Sequence, residues 1–448
     1  MACTSSRPPP PLACRVGEVA AGLRGHAMSK PAFVSLSKRY QEHKAAQPTA
    51  SQLPDMQATL TVAASMIVTS YAYWFGAVPI LFYYALWFSR TWYKGTFALR
   101  PSKEIVPGVM FALLVCASAL WSQTAGQTLY TGLEFASTIA CAIIMARVIP
   151  LPSLIKGIAW GTVVVLLIAI ASGRYSGDPF SSRYALVGYF GSKNTVGLYA
   201  DIALIAALPL FWFSKGWSGE RWLGVLTAII GFVALVQSRS SSSVLALLTA
   251  WSFLVLVRFV HVFRAKGRSF LFVLALIVIA SIVLIGLAMG WQNVLFEATG
   301  RDATLTGRTY LWEKGIEIGM RNPFLGQGYN AFWTQGNPDA EFLWDMYFIP
   351  IRGGFHFHNT YVQMFVDFGF AGFALIGFIM IRNLVQSTRL ILKERPSLVP
   401  VFCFSFSVLF FTRSFVEIDV VGPFGLLGMV FYMFPILLSA QKPEAMNG

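Results

Sequence analysis

Residues 354–381 read GFHFHNTYVQMFVDFGFAGFALIGFIMI. From Thr360 to Ile381 the only formally charged side chain is Asp367. A bilayer crossing takes about 20 mostly apolar residues, so this run is long enough to span a membrane. Two of the chain's five histidines, His356 and His358, stand just before it. The stretch therefore raises two questions: how many such spans exist, and which side of the membrane the histidines face.

Working outward, similar runs recur along the chain. Of 448 residues, 56% are hydrophobic and 12% charged, about half the roughly 25% charge of soluble domains. Mean hydropathy is +0.61. The sequence predicts an all-α polytopic membrane protein with about 12 transmembrane helices, near 57–74, 75–91, 105–121, 129–148, 154–172, 195–213, 222–237, 243–260, 270–290, 359–381, 398–413 and 420–439. The first two form one run broken around Gly76 and Pro79; undivided, it would leave eleven spans. The chain thus divides into a tail (1–55), nine spans (56–290), one long loop (291–358) and three spans (359–440).

Lys and Arg favour short cytoplasmic loops. With the N-terminus inside, 24 of the 34 basic residues fall on the cytoplasmic side. The other ten lie outside: Arg174, Arg183, Lys193, Arg239, Arg301, Arg308, Lys314, Arg321, Arg352 and Arg413. The net charge of +14 is then mostly topogenic, and nucleic acid is not the expected partner. The N-terminal tail is Pro- and Arg-rich, lacks a signal-peptide core and is expected to be disordered, with Met28 as an alternative start. Cys3 and Cys14 lie in the tail and Cys116, Cys141 and Cys403 in spans, so none can staple an outside loop. No internal repeat of the transporter kind is visible.

Within the long loop, LTGRTYLWEKGIEIGMRNPFLGQGYNAFW (305–333) carries a helical signature. Trp312, Ile316 and Met320 recur at spacing four, Pro323 ends the helix, and Gly326 and Gly328 permit a tight turn. An amphipathic helix on the outer membrane surface is expected.

Several outside residues have the types that phosphate recognition needs. QSRSSSSV (237–244) sets Arg239 in a short Ser-rich loop, and GYFGSKNTVGLYADIAL (188–204) sets Lys193 and Asn194 at the start of a span. With Arg183 and Arg308 they could line one outward cavity. Arg binds phosphate bidentately, and Lys acts as a point charge. Against this, such residues often snorkel to lipid headgroups. Asn359 suits a helix N-cap, which leaves His356 and His358 at the interface. An imidazole there can accept a hydroxyl proton at neutral pH. Its rivals are a simple interfacial role and zinc, for which Asp339, Glu341 and Asp345 offer no evident third ligand. Glu134, Asp201 and Asp367 are ionisable groups at membrane depth, where function is the default expectation.

SKN before a span, SRSS at the end of another, GRTYLWEKG…NPFLGQGYNAFW and HNTYVQMFVDFGFAG together resemble the O-antigen ligase and polymerase superfamily. RNLVQSTRL with TRSFVEIDV is most similar to its exopolysaccharide-polymerase branch in rhizobia and relatives. The resemblance covers roughly 60–440. It implies a GT-C-like glycosyltransferase of the bacterial inner membrane with its site on the periplasmic loop. The donor would be a glycan on polyprenyl (undecaprenyl) pyrophosphate, with no cofactor, nucleotide sugar or metal. Membrane lipids and other polysaccharide-assembly membrane proteins are the further partners it implies.

Carried over, the HN motif maps to His358–Asn359, the short-loop arginine to Arg239 and the GRxxxW arginine to Arg308. His358 would deprotonate or orient an acceptor hydroxyl. Arg239 and Arg308, assisted by Lys193 or Arg183, would stabilise the departing pyrophosphate. Asn194, Asn359, His356 and Trp312 would complete the substrate site, and Trp312, Tyr329 and Trp333 suit sugar stacking or an interfacial belt equally. FVEID departs from the Glu-Ser ending of that branch and leaves the role of Glu417 open. A ligase acting on another acceptor, and a flippase of lipid-linked glycans, are the competing functions.

Overall fold

The computed structural model describes residues 55–94, 101–178, 181–214, 216–288, 307–349, 352, 355–393 and 396–440. The expected disordered tail and the loop segment 291–306 lie outside the described residues.

The first apolar run divides as its Gly and Pro suggest. Helix α1 (Asp55–Ser70) is followed by the single turn α2 (Ala72–Phe75), then by Gly76 at φ 68° and α3 (Ala77–Lys94). Next come α4 (Val106–Ala117), α5 (Ala125–Val148) and α6 (Leu151–Ala171). A short antiparallel hairpin follows, β1 (Tyr175–Asp178) and β2 (Ser181–Leu186), with Tyr175 opposite Leu186. The bundle continues through α7 (Lys193–Phe213), α8 (Gly219–Ser238), α9 (Ser241–Val260) and α10 (Ala265–Ala288). Two loop helices, α11 (Arg308–Gly319) and α12 (Pro338–Met346), precede α13 (Thr360–Lys393), α14 (Leu398–Arg413) and α15 (Leu426–Ser439).

Seven of the described helices, α5 to α10 and α13, are long and apolar enough to cross a membrane, and α14, α15 and Val106–Leu120 are shorter apolar helices. The architecture is a helical membrane bundle with one small hairpin. Where helices cross closely, glycines remove the side chain between them: Gly157 and Gly161 of α6 lie against Val62 and Met66 of α1, and Gly231 of α8 lies against Ala203 of α7. Small residues at such crossings let backbones approach and gain dispersion contacts, the main attraction available in lipid. Only 6% of the residues over Ala265–Ile282 of α10 are buried by the described chain, so α10 lies at the outside of the described bundle.

Helix α13 is not continuous. Gly369 sits at φ 61°, ψ −152°, and breaks it. The backbone groups released there are taken up by the loop: Phe370 N donates to Pro323 O (2.7 Å), Gln327 N to Val366 O (2.9 Å) and Gly328 N to Asp367 O (2.8 Å). Irregular backbone at membrane depth persists only when buried in protein or lining a cavity, and the GQG turn supplies that burial. The loop helices hold a second small core of Leu311, Ile318, Phe332, Trp344 and Phe357 over the start of α13.

The loop helix differs from its sequence reading in one respect. Its buried face is Leu311, Gly315, Ile318 and Gly319, and the glycines let it lie directly on Phe357, Val362 and Phe365. Ile316 and Met320 of the predicted stripe point outward, 49% and 56% exposed. One apolar face is thus left free for a membrane surface while a glycine face docks on the bundle.

Candidate functional site

The HNT motif is stitched to the segment after α14. Asn359 caps α13 as expected, its Oδ1 accepting from Tyr361 N (2.9 Å) and Val362 N (3.1 Å). Its Nδ2 donates to Phe415 O (3.0 Å), and Thr360 N donates to Ser414 O (2.9 Å). Beyond α14 the chain turns tightly, Val416 N and Glu417 N both donating to Arg413 O. Thr360 Oγ1 then donates to Glu417 O (2.7 Å). Together these bonds hold the Glu417 side chain over the start of α13.

There Glu417 becomes a hub. Its Oε1 accepts from Asn194 Nδ2 (2.7 Å) and from Arg308 Nη2 (3.1 Å), and its Oε2 faces His358 Nδ1 at 3.4 Å. Arg308, the first residue of α11, also donates to Val416 O (2.7 Å). One turn on, Trp312 Nε1 donates to Phe357 O (2.8 Å), pinning the chain before the histidines. His358 N donates to His356 Nδ1 (3.1 Å), and the two rings lie 4.2 Å apart.

Of the remaining predicted residues, Asn194 joins the site. Asn194, in the first turn of α7, accepts from Ser240 Oγ at Oδ1 (3.1 Å), which ties the Ser-rich loop to Glu417. Arg239 precedes Ser240 as the C-cap of α8, with its side chain exposed and no ion pair among the described residues. Lys193 begins α7 beside Asn194, and Arg183 lies in β2. Arg308, His356, His358 and Asn194 thus gather around one carboxylate, and Arg239 is the sequence neighbour of Ser240, which bonds Asn194. Arg239 (φ 48°) and His358 (φ 50°) both sit in the left-handed region, a strained backbone that proteins keep mainly at functional positions.

The electrostatics fix two charge states. Burial alone would raise the Glu417 carboxyl. The His358 hydrogen bond and the charges of His358, Arg308 and Arg413 outweigh it and hold the group down at about 2. Burial, with the nearby His358 and Arg308, pushes His356 down to about 3. Near neutral pH, then, Glu417 is an anion and His356 a neutral acceptor.

Glu417 also supplies the third metal-type ligand that the sequence did not reveal. Donor atoms of His356, His358 and Glu417 lie within 4.8 Å of one another. Arg308 donates to Glu417 Oε1 and His358 N to His356 Nδ1 within this cluster.

The sequence profile of the O-antigen ligase family matches residues 226–377. The exopolysaccharide production protein ExoQ of Rhizobium meliloti (strain 1021) is 32% identical over 375 residues, covering 83% of this chain and 85% of that protein. The chain belongs to the O-antigen ligase family.

The family profile spans Arg239, Arg308, Trp312, His356, His358 and Asn359, whereas Arg183, Lys193, Asn194 and Glu417 lie outside its matched range. From the sequence, Glu417 is unassigned and Arg413 is only an outside charge. Arg413 is instead 1% exposed and paired with Asp419 at 2.6 Å and Asp201 at 3.6 Å. The pattern TRSFVEID, one basic and two acidic residues within eight positions between apolar runs, was the available signal.

Proposed function

We propose that this member of the O-antigen ligase family is a glycosyltransferase that polymerises an oligosaccharide carried on polyprenyl pyrophosphate. The reaction would take place at the periplasmic face of the bacterial inner membrane, with the N-terminus cytoplasmic and about twelve spans. The observation that carries the reading is Glu417, one carboxylate shared by an imidazole and a guanidinium.

With Glu417 ionised, the Nδ1 of His358 carries the proton facing it, which leaves the Nε2 lone pair for the acceptor hydroxyl. His358 takes that proton as the hydroxyl oxygen attacks the anomeric carbon. The carbon–oxygen bond to pyrophosphate breaks on the opposite side, so the anomeric centre inverts. Glu417 stabilises the imidazolium that forms, as a buried carboxylate does beside a catalytic histidine. Arg308 and Arg239, assisted by Lys193 and Arg183, would meet the charge that develops on the diphosphate. Trp312 and His356 line the acceptor side, and Asn194 and Asn359 hold the frame. No metal enters this scheme, because Arg308 already supplies the positive charge beside Glu417.

A second reading, transfer of finished glycan to another acceptor, is favoured by the ligase profile over 226–377. The longer similarity to an exopolysaccharide production protein favours polymerisation. Purified protein in lipid, given a polyprenyl-pyrophosphate oligosaccharide, should lengthen the glycan and release polyprenyl pyrophosphate. Wild-type rates from folded His358→Ala and Arg239→Ala proteins would remove the assigned site.

A further inference from the structure

A polar thread runs from the His358–Glu417 contact into the bundle. Asn194 links Glu417 to Ser240 (2.7 and 3.1 Å). Ser240 Oγ lies 3.2 Å from Ser243 Oγ, which accepts from Arg413 Nη1 (2.7 Å). The Arg413 guanidinium then grips Asp419 with two nitrogens (2.6 and 3.2 Å) and faces Asp201 of α7 at 3.6 Å. Arg413 is 1% and Asp201 0% exposed.

Burying a guanidinium among carboxylates stabilises less than well-packed apolar side chains of like volume. Packing α7, α9 and α14 together therefore gives no reason for an arginine here. What the arginine achieves is connection. Its guanidinium holds Asp419, two residues beyond Glu417, with two nitrogens (2.6 and 3.2 Å), fixing the far end of the segment that returns Glu417 to His358. Its Nη1 fixes Ser243 in the first turn of α9, just after the short loop that holds Arg239.

We infer that Arg413 is a positioning residue, setting from one buried point both the Glu417 carboxylate that orients His358 and the loop that presents Arg239 to the diphosphate. It touches no substrate. This inference rests on the glycosyl-transfer reading and adds to it a device for keeping the base and the phosphate-binding arginine in register.

Arg413→Lys and Ser243→Ala in the full chain test it, assayed in lipid with the polyprenyl-pyrophosphate oligosaccharide. Lys keeps the charge between Asp201 and Asp419 but cannot fork to Asp419 and reach Ser243 together. A misplacement of about 1 Å can cost roughly 100-fold in rate. Arg413→Lys is therefore expected to lower kcat roughly 10- to 100-fold and to change the pH–rate profile. Ser243→Ala, which removes no charge but leaves one buried Arg413 donor unpaired, is expected to raise the donor KM several-fold and lower Tm by a few degrees. A purely structural role would lower Tm and leave the kinetic constants of the folded protein unchanged.

Wild-type kcat, KM and pH profile in both variants would overturn the positioning role alone. If Arg413→Lys does not fold, an unchanged donor KM in Ser243→Ala overturns it. A wild-type protein that turns over no donor would remove the glycosyl-transfer reading, and this inference with it.

Discussion

The Oε2 atom of Glu417 stands 3.4 Å from His358 Nδ1, while Oε1 of the same carboxylate takes Asn194 and Arg308. A neutral replacement tests what this geometry does. In Glu417→Gln the amide can still accept from Arg308 and Asn194, but its NH2 faces His358 Nδ1. That demands the opposite imidazole tautomer and places a proton on Nε2, where a lone pair is needed. The comparable swap beside a catalytic histidine costs about 10⁴ in kcat. A loss of about 10³ to 10⁴ in kcat is expected here, with donor KM little changed, measured by initial rates of chain extension. Activity within a few-fold of wild type would show that Glu417 does not set the His358 tautomer.

Acid should destabilise the site in two stages. Folded, His356 stays neutral down to about 3 and Glu417 stays charged down to about 2; their ordinary values are 6.5 and 4.5. Between about 6.5 and 4.5 the unfolded chain binds a proton at His356 that the folded chain refuses, so stability falls as pH falls. Below about 4.5 Glu417 adds to the loss in the same direction. His356→Asn keeps an acceptor near the Nδ1 position and removes the imidazole. It should flatten the Tm–pH curve between about 6.5 and 4.5 and leave the steeper fall below. A curve parallel to wild type across that upper window would show that His356 is not buried as a neutral base.

The parts legible in the sequence are those written in local chemistry. Asn359 as a cap, Gly76 as a break and Pro323 with Gly326 and Gly328 as a stop and turn all follow from backbone preference. The long apolar helices follow from composition. The break at Gly369 does not, because glycine is common in membrane helices and the partner that satisfies the broken backbone lies in a distant loop. The buried face of α11 was hidden for a related reason: Gly315 and Gly319 contribute close approach, and no hydrophobic periodicity records it. The hairpin at 175–186 passed for loop among Gly, Ser and Pro. Glu417 meets His358 across 59 positions, a pairing that only the turn at Arg413 creates.

Gly197 tests whether the polar thread needs its spacing. A methyl group there would collide with Ser243 Oγ and Ser240 Cβ, at the crossing of α7 and α9 where Asn194 meets Ser240. Overpacking of this kind costs about 1–3 kcal/mol. Gly197→Ala is expected to lower Tm by a few degrees and to reduce activity beyond the lost folded fraction, because Ser240 is pushed from Asn194. Gly231→Ala, which crowds Ala203 elsewhere on α7, serves as the control and should lower Tm without the added activity loss. Equal specific activity in the two folded variants would uncouple the α7–α9 spacing from the site.

Arg239 offers the sharpest separation of function from stability. It closes α8 at φ 48°, ψ 30°, a helix-end conformation that glycine adopts without steric cost and that most side chains resist by about 1–2 kcal/mol. Its guanidinium is exposed and forms no ion pair among the described residues, so removing it breaks no bond that holds the fold. Arg239→Gly should therefore raise stability by about 1 kcal/mol and yet cut chain extension by 10²-fold or more, as loss of a charge-stabilising donor does. Purified Arg239→Gly protein would be compared with wild type by thermal melting and by donor turnover in lipid. A more stable protein with wild-type turnover would leave the strained arginine without a role in catalysis and would remove it from the site.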